Sequence, residues 1–174
     1  MEDRVFIGVG SNIGNGVKNC MAAIKTVSSD ARIYLKSISS FYTTSPVSDI
    51  QQDDFINCAI LVSWKGTAAE LLALLQTIES SMGRTRDDRK NGPRIIDLDI
   101  LLFGDAIIDE PSLTVPHKEL HLRKFALVPC IEIDPNSVIP TFGKSLSEFL
   151  GSIDESQIIR KLRGIEFLNE FEEQ

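Results

Sequence analysis

A chain of 174 residues, 43% hydrophobic and 25% charged, has the make-up of one ordinary globular domain. Its formal net charge of −7 argues against a surface that tracks a nucleic-acid backbone. No apolar run nears the roughly 20 residues that cross a bilayer, and the acidic start Met1-Glu2-Asp3-Arg4 does not have the pattern of a signal peptide. The three cysteines Cys20, Cys58 and Cys130, an odd number in apolar surroundings, read as reduced buried thiols of a cytoplasmic protein.

Residues 5–10 (V-F-I-G-V-G) predict a buried strand that ends on glycines. Over 16–28, Val17, Met21, Ile24 and Val27 recur at helical spacing. Residues 33–42 alternate as a strand, and 54–64 form another, rich in β-branched and aromatic side chains. Thr67 followed by Glu70 is a capping-box pattern. The helix it starts places Leu71, Leu74, Leu75, Ile78 and Met82 on one face and ends near Gly83. After a polar loop comes a strand at 95–103, stopped by Gly104-Asp105. From Pro111 onward the pattern is irregular, with helices expected near 124–131 and 145–150 and a frayed acidic tail at 164–174. Strand, helix, strand, strand, helix, strand is the ferredoxin-like βαββαβ order of the α+β class: an antiparallel sheet with helices packed on one face, its core over about residues 4–151.

Within residues 84–94 lie Arg84, Arg86, Arg89, Lys90 and Arg94, five of the chain's 18 cations. No large apolar side chain in that interval can anchor it to a core, so the loop is expected to be mobile when empty. Arginine forks match phosphate oxygens, and a triphosphate takes several at once. A solvated charged loop has the same composition, so the next segment decides. Asp97 and Asp99 flank Leu98 on a strand, where a side-chain period of two puts both carboxylates on one face. Two adjacent acids on an otherwise apolar strand repel and resist burial, and a divalent cation relieves both problems. Magnesium, held by one or two carboxylates together with substrate phosphates, suits a D-x-D pair beside an arginine loop. Two acids at an exposed strand end, or paired with the nearby arginines, would give the same pattern.

Three further groups stand out. His117 follows Pro116 and is close to Lys118 and Arg123, which suits a phosphate or adenine contact as well as a structural histidine. Gly8-Val9-Gly10-Ser11-Asn12-Ile13-Gly14 lacks the spacing and acidic partner of a dinucleotide site and reads as a tight turn. Phe55 and Asn57 share a strand face, which suits either a core or a pocket that stacks a flat heterocycle and reads its edge.

The stretches G-S-N-I-G, S-S-F-Y-T-T-S-P-V, D-F-I-N-C-A, I-E-S-S-M-G-R-T-R, N-G-P-R-I-I-D-L-D-I-L-L-F-G and L-T-V-P-H-K-E-L-H-L-R-K-F-A-L-V-P occur in an order that resembles the 6-hydroxymethyl-7,8-dihydropterin pyrophosphokinases (HPPK) of folate biosynthesis. The likeness spans about residues 5–149. It implies the ferredoxin-like fold and a monomeric cytoplasmic enzyme whose substrates are ATP and 6-hydroxymethyl-7,8-dihydropterin. Such an enzyme moves the β,γ-pyrophosphoryl unit of ATP to the pterin hydroxymethyl group and releases AMP. By the same resemblance Asp97 and Asp99 would bind two magnesium ions, Arg84 and Arg94 would hold phosphates, and Arg86 would join them from the loop. Gln76, Glu79, Ile100, Ser112, Thr114, His117 and Lys118 would surround ATP. Thr44, Ser45, Val47, Phe55, Asn57 and Phe125 would form the pterin pocket, with Arg123 reaching the phosphates or the heterocycle. Two stretches depart from the usual pattern: Lys90-Asn91 stands where many members have Arg-Trp, and Ser45 where many have proline. A magnesium-dependent nucleotide hydrolase would not need the Phe55, Asn57 and Phe125 set, and a non-catalytic binding module would not need the Asp97 and Asp99 pair.

Overall fold

Both faces of the first strand are apolar. In β1 (Asp3–Ser11), Val5, Ile7 and Val9 point to one side and Phe6 to the other, and all four are buried. A strand read this way is covered on both sides. The computed structural model describes residues 2–85 and 92–162. The strand is followed by α1 (Gly16–Ser28), β2 (Ile33–Ile38), β3 (Tyr42–Thr44), β4 (Phe55–Trp64), α2 (Ala68–Ser81) and β5 (Asp97–Phe103). Then come β6 (Ile108–Glu110), β7 (Leu113–Val115), α3 (Lys124–Ile133), β8 (Val138–Ile139), β9 (Lys144–Ser145) and β10 (Ile159–Lys161), with 3₁₀ turns at Leu120–Leu122 and Leu146–Ser152.

The main sheet has the order β10-β3-β4-β1-β5, with β2 also on β4, and every pairing is antiparallel. That is the ferredoxin-like arrangement. α1 and α2 cover the face of Val5, Ile7 and Val9, where Trp64, Leu71, Leu75 and Ile78 complete a core. The opposite face, expected to be bare of helices, is covered by α3 and the Leu146–Ser152 turn, which pack Leu127, Leu146 and Phe149 against Phe6 and Leu61. The long run of apolar residues in α3 lacks a polar face, which is why it inserts as an inner layer.

Two local departures shape the sheet. The strand expected at 33–42 is split, because Ser40 turns away from β4 and gives its N–H and hydroxyl to Glu132 of α3 at 2.9 and 2.6 Å. In β5 the register with β1 shifts, Leu102 lying opposite Phe6 and Ile100 opposite Ile7, so Leu101 is an extra residue. This bulge turns both Leu101 and Leu102 toward the α3 core. At the other end of β5, Asp97 and Asp99 lie on that same face but beyond the helix.

The Thr67–Glu70 capping box forms, with bonds of 3.1 and 2.7 Å. Gly83 then adopts φ +98°, a conformation that favours glycine, and the chain folds back so that the Arg84 N–H meets the Glu79 carbonyl at 3.1 Å. The helix end thereby delivers Arg84 to the start of β5.

If α3 is a true second layer, replacing its buried Leu127 opens a cavity in the core. Leu127→Ala should lower unfolding free energy by about 2–5 kcal/mol, measured by urea denaturation. A loss under about 0.5 kcal/mol would mean that the layer is loosely docked.

Candidate functional site

Strand geometry brings four backbone segments to one end of the α3 face. Gly10 of β1 lies opposite Asn57 of β4 on one side and Asp97 of β5 on the other, and Thr44 of β3 pairs with Phe55. A Cβ at Gly10 would sit 2.4 Å from the Asn57 Oδ1, so only a glycine there leaves room for that amide. The buried Asn57 donates its Nδ2–H to Thr44 Oγ1 at 2.7 Å. These residues line a cleft of about 500 Å³, its mouth included, together with Ser45, Val47, Phe55, Arg94, Asp97, Arg123 and Phe125. Phe55 enters it from β4 and Phe125 from α3, and both are half-buried.

A second cleft, of about 670 Å³ including open space, lies along β5 and β7. Its lining includes Asp99, Ile100, Ser112, Thr114, His117 and Lys118. The two clefts adjoin through the carboxylate pair on one face of β5, Asp97 lining the first and Asp99 the second.

Around that junction the charges are tightly arranged. Arg84 Nη1 bonds Asp97 Oδ1 at 2.7 Å and also pairs with Glu79, while Arg94 Nη1 lies 3.0 Å from Asp97 Oδ2. Glu79, buried, takes the Leu98 N–H on its other oxygen at 3.0 Å, fastening α2 to β5. Burial, assisted by the neighbouring Asp97, raises the Glu79 pKa in spite of Arg84. Burial works against the Arg84 charge, but Asp97 and Glu79 outweigh it and hold its pKa above the usual value. The Asp99 backbone belongs to the ladder with β1, but its carboxylate has no hydrogen bond or ion pair among the described residues. Burial first, then the charges of Asp97 and Glu79, push its carboxyl up to about 7, with Arg94 and Arg84 pulling the other way.

His117 follows the cis Val115–Pro116 peptide and donates its N–H to the Leu101 carbonyl at 2.9 Å. Its Nδ1 accepts the Glu119 N–H at 3.2 Å, which leaves Nε2 as the protonated donor of the neutral ring. Burial and the nearby Arg123 lower its pKa, so the neutral form prevails near pH 7. Arg123 pairs with Glu119 and lies with its guanidinium 5.5 Å from the Phe125 ring centroid.

The structure thus gathers Thr44, Ser45, Val47, Phe55, Asn57, Arg123 and Phe125 with Arg94 and Asp97, and Ile100, Ser112, Thr114, His117 and Lys118 with Asp99. Gln76 is exposed on α2 and lines neither of these clefts, and Glu79 serves as a partner of Arg84. Arg86 and the Lys90-Asn91 pair lie outside the described residues, as does the acidic tail. Two residues read only as part of a turn have larger parts in the site. Gly10 lines the first cleft. Asn12 holds Arg94 from both sides, its Oδ1 taking the Arg94 N–H at 2.9 Å and its own N–H reaching the Arg94 carbonyl at 3.1 Å. Their sequence signal was the G-x-G-S-N run, which the absence of a dinucleotide spacing led away from function.

No group of three or more His, Cys, Asp or Glu among the described residues is placed to hold a metal by itself. Any divalent ion at Asp97 and Asp99 therefore takes other ligands, as magnesium does from phosphates and water. The half-buried Asp99 beside Asp97, its carboxylate unpaired among the described residues, fits that chemistry: a carboxylate that resists ionisation gains a counter-charge when an ion arrives.

Residues 6–135 match the family model described as 7,8-dihydro-6-hydroxymethylpterin-pyrophosphokinase (HPPK). A 2-amino-4-hydroxy-6-hydroxymethyldihydropteridine pyrophosphokinase of Haemophilus influenzae is 35% identical over 155 residues, covering 89% of this chain and 96% of its own. One from Methylorubrum extorquens is 36% identical over 157 residues, covering 90% and 98%. Among solved structures, wild-type HPPK-DHPS of Plasmodium falciparum superposes with a TM-score of 0.68 over 87% of this chain at 12% identity, a likeness of fold. This chain spans 45% of that one, less than half.

The charge arrangement has a thermodynamic consequence that ligand-free protein should report. Because the folded chain raises the Asp99 pKa from 3.8 to about 7, it holds that proton more tightly than the unfolded chain does. Stability from this group is therefore full below about pH 4 and is lost as pH rises through 7. Asp99→Asn removes the ionisation, so at pH 8 its Tm should exceed that of the parent by roughly 2–4 °C, and at pH 5 the gap should narrow. A variant that melts lower at both pH values would show that the Asp99 charge is already compensated.

Proposed function

The chain belongs to the 7,8-dihydro-6-hydroxymethylpterin-pyrophosphokinase family, and we propose that it transfers pyrophosphate from ATP to 6-hydroxymethyl-7,8-dihydropterin, releasing AMP, in folate biosynthesis. The observation that carries this reading is the junction itself. Each of two clefts is lined by one of two aspartates that sit on the same face of β5, so two substrates can meet there.

In this reading the first cleft takes the pterin. Phe55 and Phe125 stack on its ring, and the Asn57 amide, held by Thr44, reads the ring edge. The second cleft takes ATP, with Ile100 and Thr114 along the nucleoside and His117 Nε2–H and Lys118 toward the phosphates. Arg84 and Arg94, already fixed by Glu79 and Asn12, aim their remaining donors at the β- and γ-phosphates. Asp97 and Asp99 would hold the two magnesium ions. Bound there, such ions supply neutralisation of phosphate charge and a lower proton affinity for the hydroxymethyl oxygen. That oxygen then bonds to the β-phosphorus as the bond from this phosphorus to the α,β-bridging oxygen breaks, and the hydroxyl proton leaves to solvent. The protein contributes position and charge rather than covalent chemistry.

No helix among the described residues is long and apolar enough to cross a membrane. A cytoplasmic enzyme, monomeric and working as one domain, is part of the same proposal.

Incubation with ATP, magnesium and the pterin alcohol tests the reading. AMP should accumulate only when the pterin is present, in equal amount with the pterin diphosphate. ADP as the product, or AMP formed without pterin, would overturn it. Asp97→Ala should lower turnover on the order of 100-fold or more while the far-ultraviolet circular dichroism is kept; activity within threefold of the parent would refute the role of Asp97.

A further inference from the structure

Residues 157–162 lie beyond the family-model match, which ends at 135, yet they touch both walls of the first cleft. On the α3 side, Gln157 Oε1 accepts the Lys124 N–H at 2.9 Å, and its Nε2–H donates to the Leu122 carbonyl at 2.8 Å. These two bonds bracket Arg123, and Lys124 is the residue before Phe125. The N-terminus of α3 has no side-chain cap from its own N-cap residue, so Gln157 supplies from a distant segment what a local side chain usually provides.

On the opposite side the next residue, Ile158, takes the Ser45 N–H on its carbonyl at 3.1 Å and gives its own N–H to Ser45 Oγ at 3.3 Å. β10 continues this contact along β3, Ile159 opposite Thr44 and Lys161 opposite Tyr42, and Leu162 donates to the Phe41 carbonyl at 2.8 Å. Thr44 and Ser45 form one wall of the cleft, and Arg123 and Phe125 form the other. Gln157 and Ile158 are neighbours in sequence, so a single peptide unit ties the two walls together. The backbone N–H of Ser45 is part of this tie, and a proline at that position would have none to give.

We propose that the segment at 157–162 is a strap that sets the width of the pterin-side cleft, with Gln157 as a positioning residue for Arg123 and Phe125. This rests on the pyrophosphokinase reading of the first cleft. No residue of the strap is among those lining the second cleft, so its effect should fall on one substrate. A general loss of structure would not separate the two substrates in this way.

Steady-state kinetics of Gln157→Ala with each substrate varied in turn tests the strap. Gln157 is half-exposed and belongs to neither buried core, so the variant should fold, as judged by an unchanged circular dichroism spectrum. The KM for the pterin should rise ~10-fold, the scale of two lost hydrogen bonds. The KM for ATP and kcat should stay within about twofold of the parent. Gln157→Glu keeps the acceptor for the Lys124 N–H and loses the donor, so its pterin KM should fall between those of parent and alanine variant. An unchanged pterin KM in both variants, or an equal rise in the two KM values, would overturn the strap. Parent enzyme that forms no AMP with pterin would instead overturn the reading of the cleft.

Discussion

Two carboxylates side by side on one face of an apolar strand are the constraint on which the rest of this site depends. Asp97 and Asp99 occupy the first and third places of β5, whose other residues belong to the two cores. Water alone does not offset their repulsion at the half-buried positions they hold. Among the described residues, the answering cations gather on one of the two. Arg84 and Arg94 both close on Asp97, and the Asp99 carboxylate has no ion-pair partner among the described residues. The imbalance places positive charge and an unpaired acid next to each other, which is the polarity that a metal-bound phosphate chain requires.

Much of the surrounding architecture follows from delivering those two arginines. Gly83 reverses the chain after α2 so that Arg84 returns alongside Glu79, and Glu79 anchors itself on the Leu98 N–H within the same strand. Arg94 is held by a buried asparagine, Asn12, which also donates to Gln52 and to the Asp53 carbonyl. Three loops therefore have a common fastening beside the acids. Gly10, lacking a Cβ, keeps the space next to Asp97 open for Asn57. On this account the glycines and amides of the loops matter to function because they set distances, although none of them carries charge.

The parts of this molecule that were legible in the sequence are those where one rule acts alone. The period of two in β5 put Asp97 and Asp99 on one face, and the capping box marked the start of α2. Element order gave the ferredoxin-like sheet, since two crossovers of helical length leave few other ways to arrange four main strands. What escaped depends on contacts between distant residues. The break after Ile38 arises because Ser40 prefers Glu132, 92 positions away, and no local pattern announces it. The bulge at Leu101 depends on the registers of β1 and β5 together. The layer formed by α3 could be predicted only as a helix, because its near-uniform apolarity gives no direction to its burial. Within the site, charge-bearing residues declared themselves, whereas Gly10 and Asn12 gain their meaning from what lies opposite them.

In the pyrophosphokinase reading, Asp97 and Asp99 jointly hold divalent metal between the two substrates. This is tested most directly by electron paramagnetic resonance titration of Mn²⁺ with a non-hydrolysable ATP analogue and the pterin present. Two ions should bind per parent chain, and both should be lost in a folded Asp97→Ala/Asp99→Ala variant. Equal Mn²⁺ stoichiometry and affinity in parent and variant would place the metal on the nucleotide alone and contradict it.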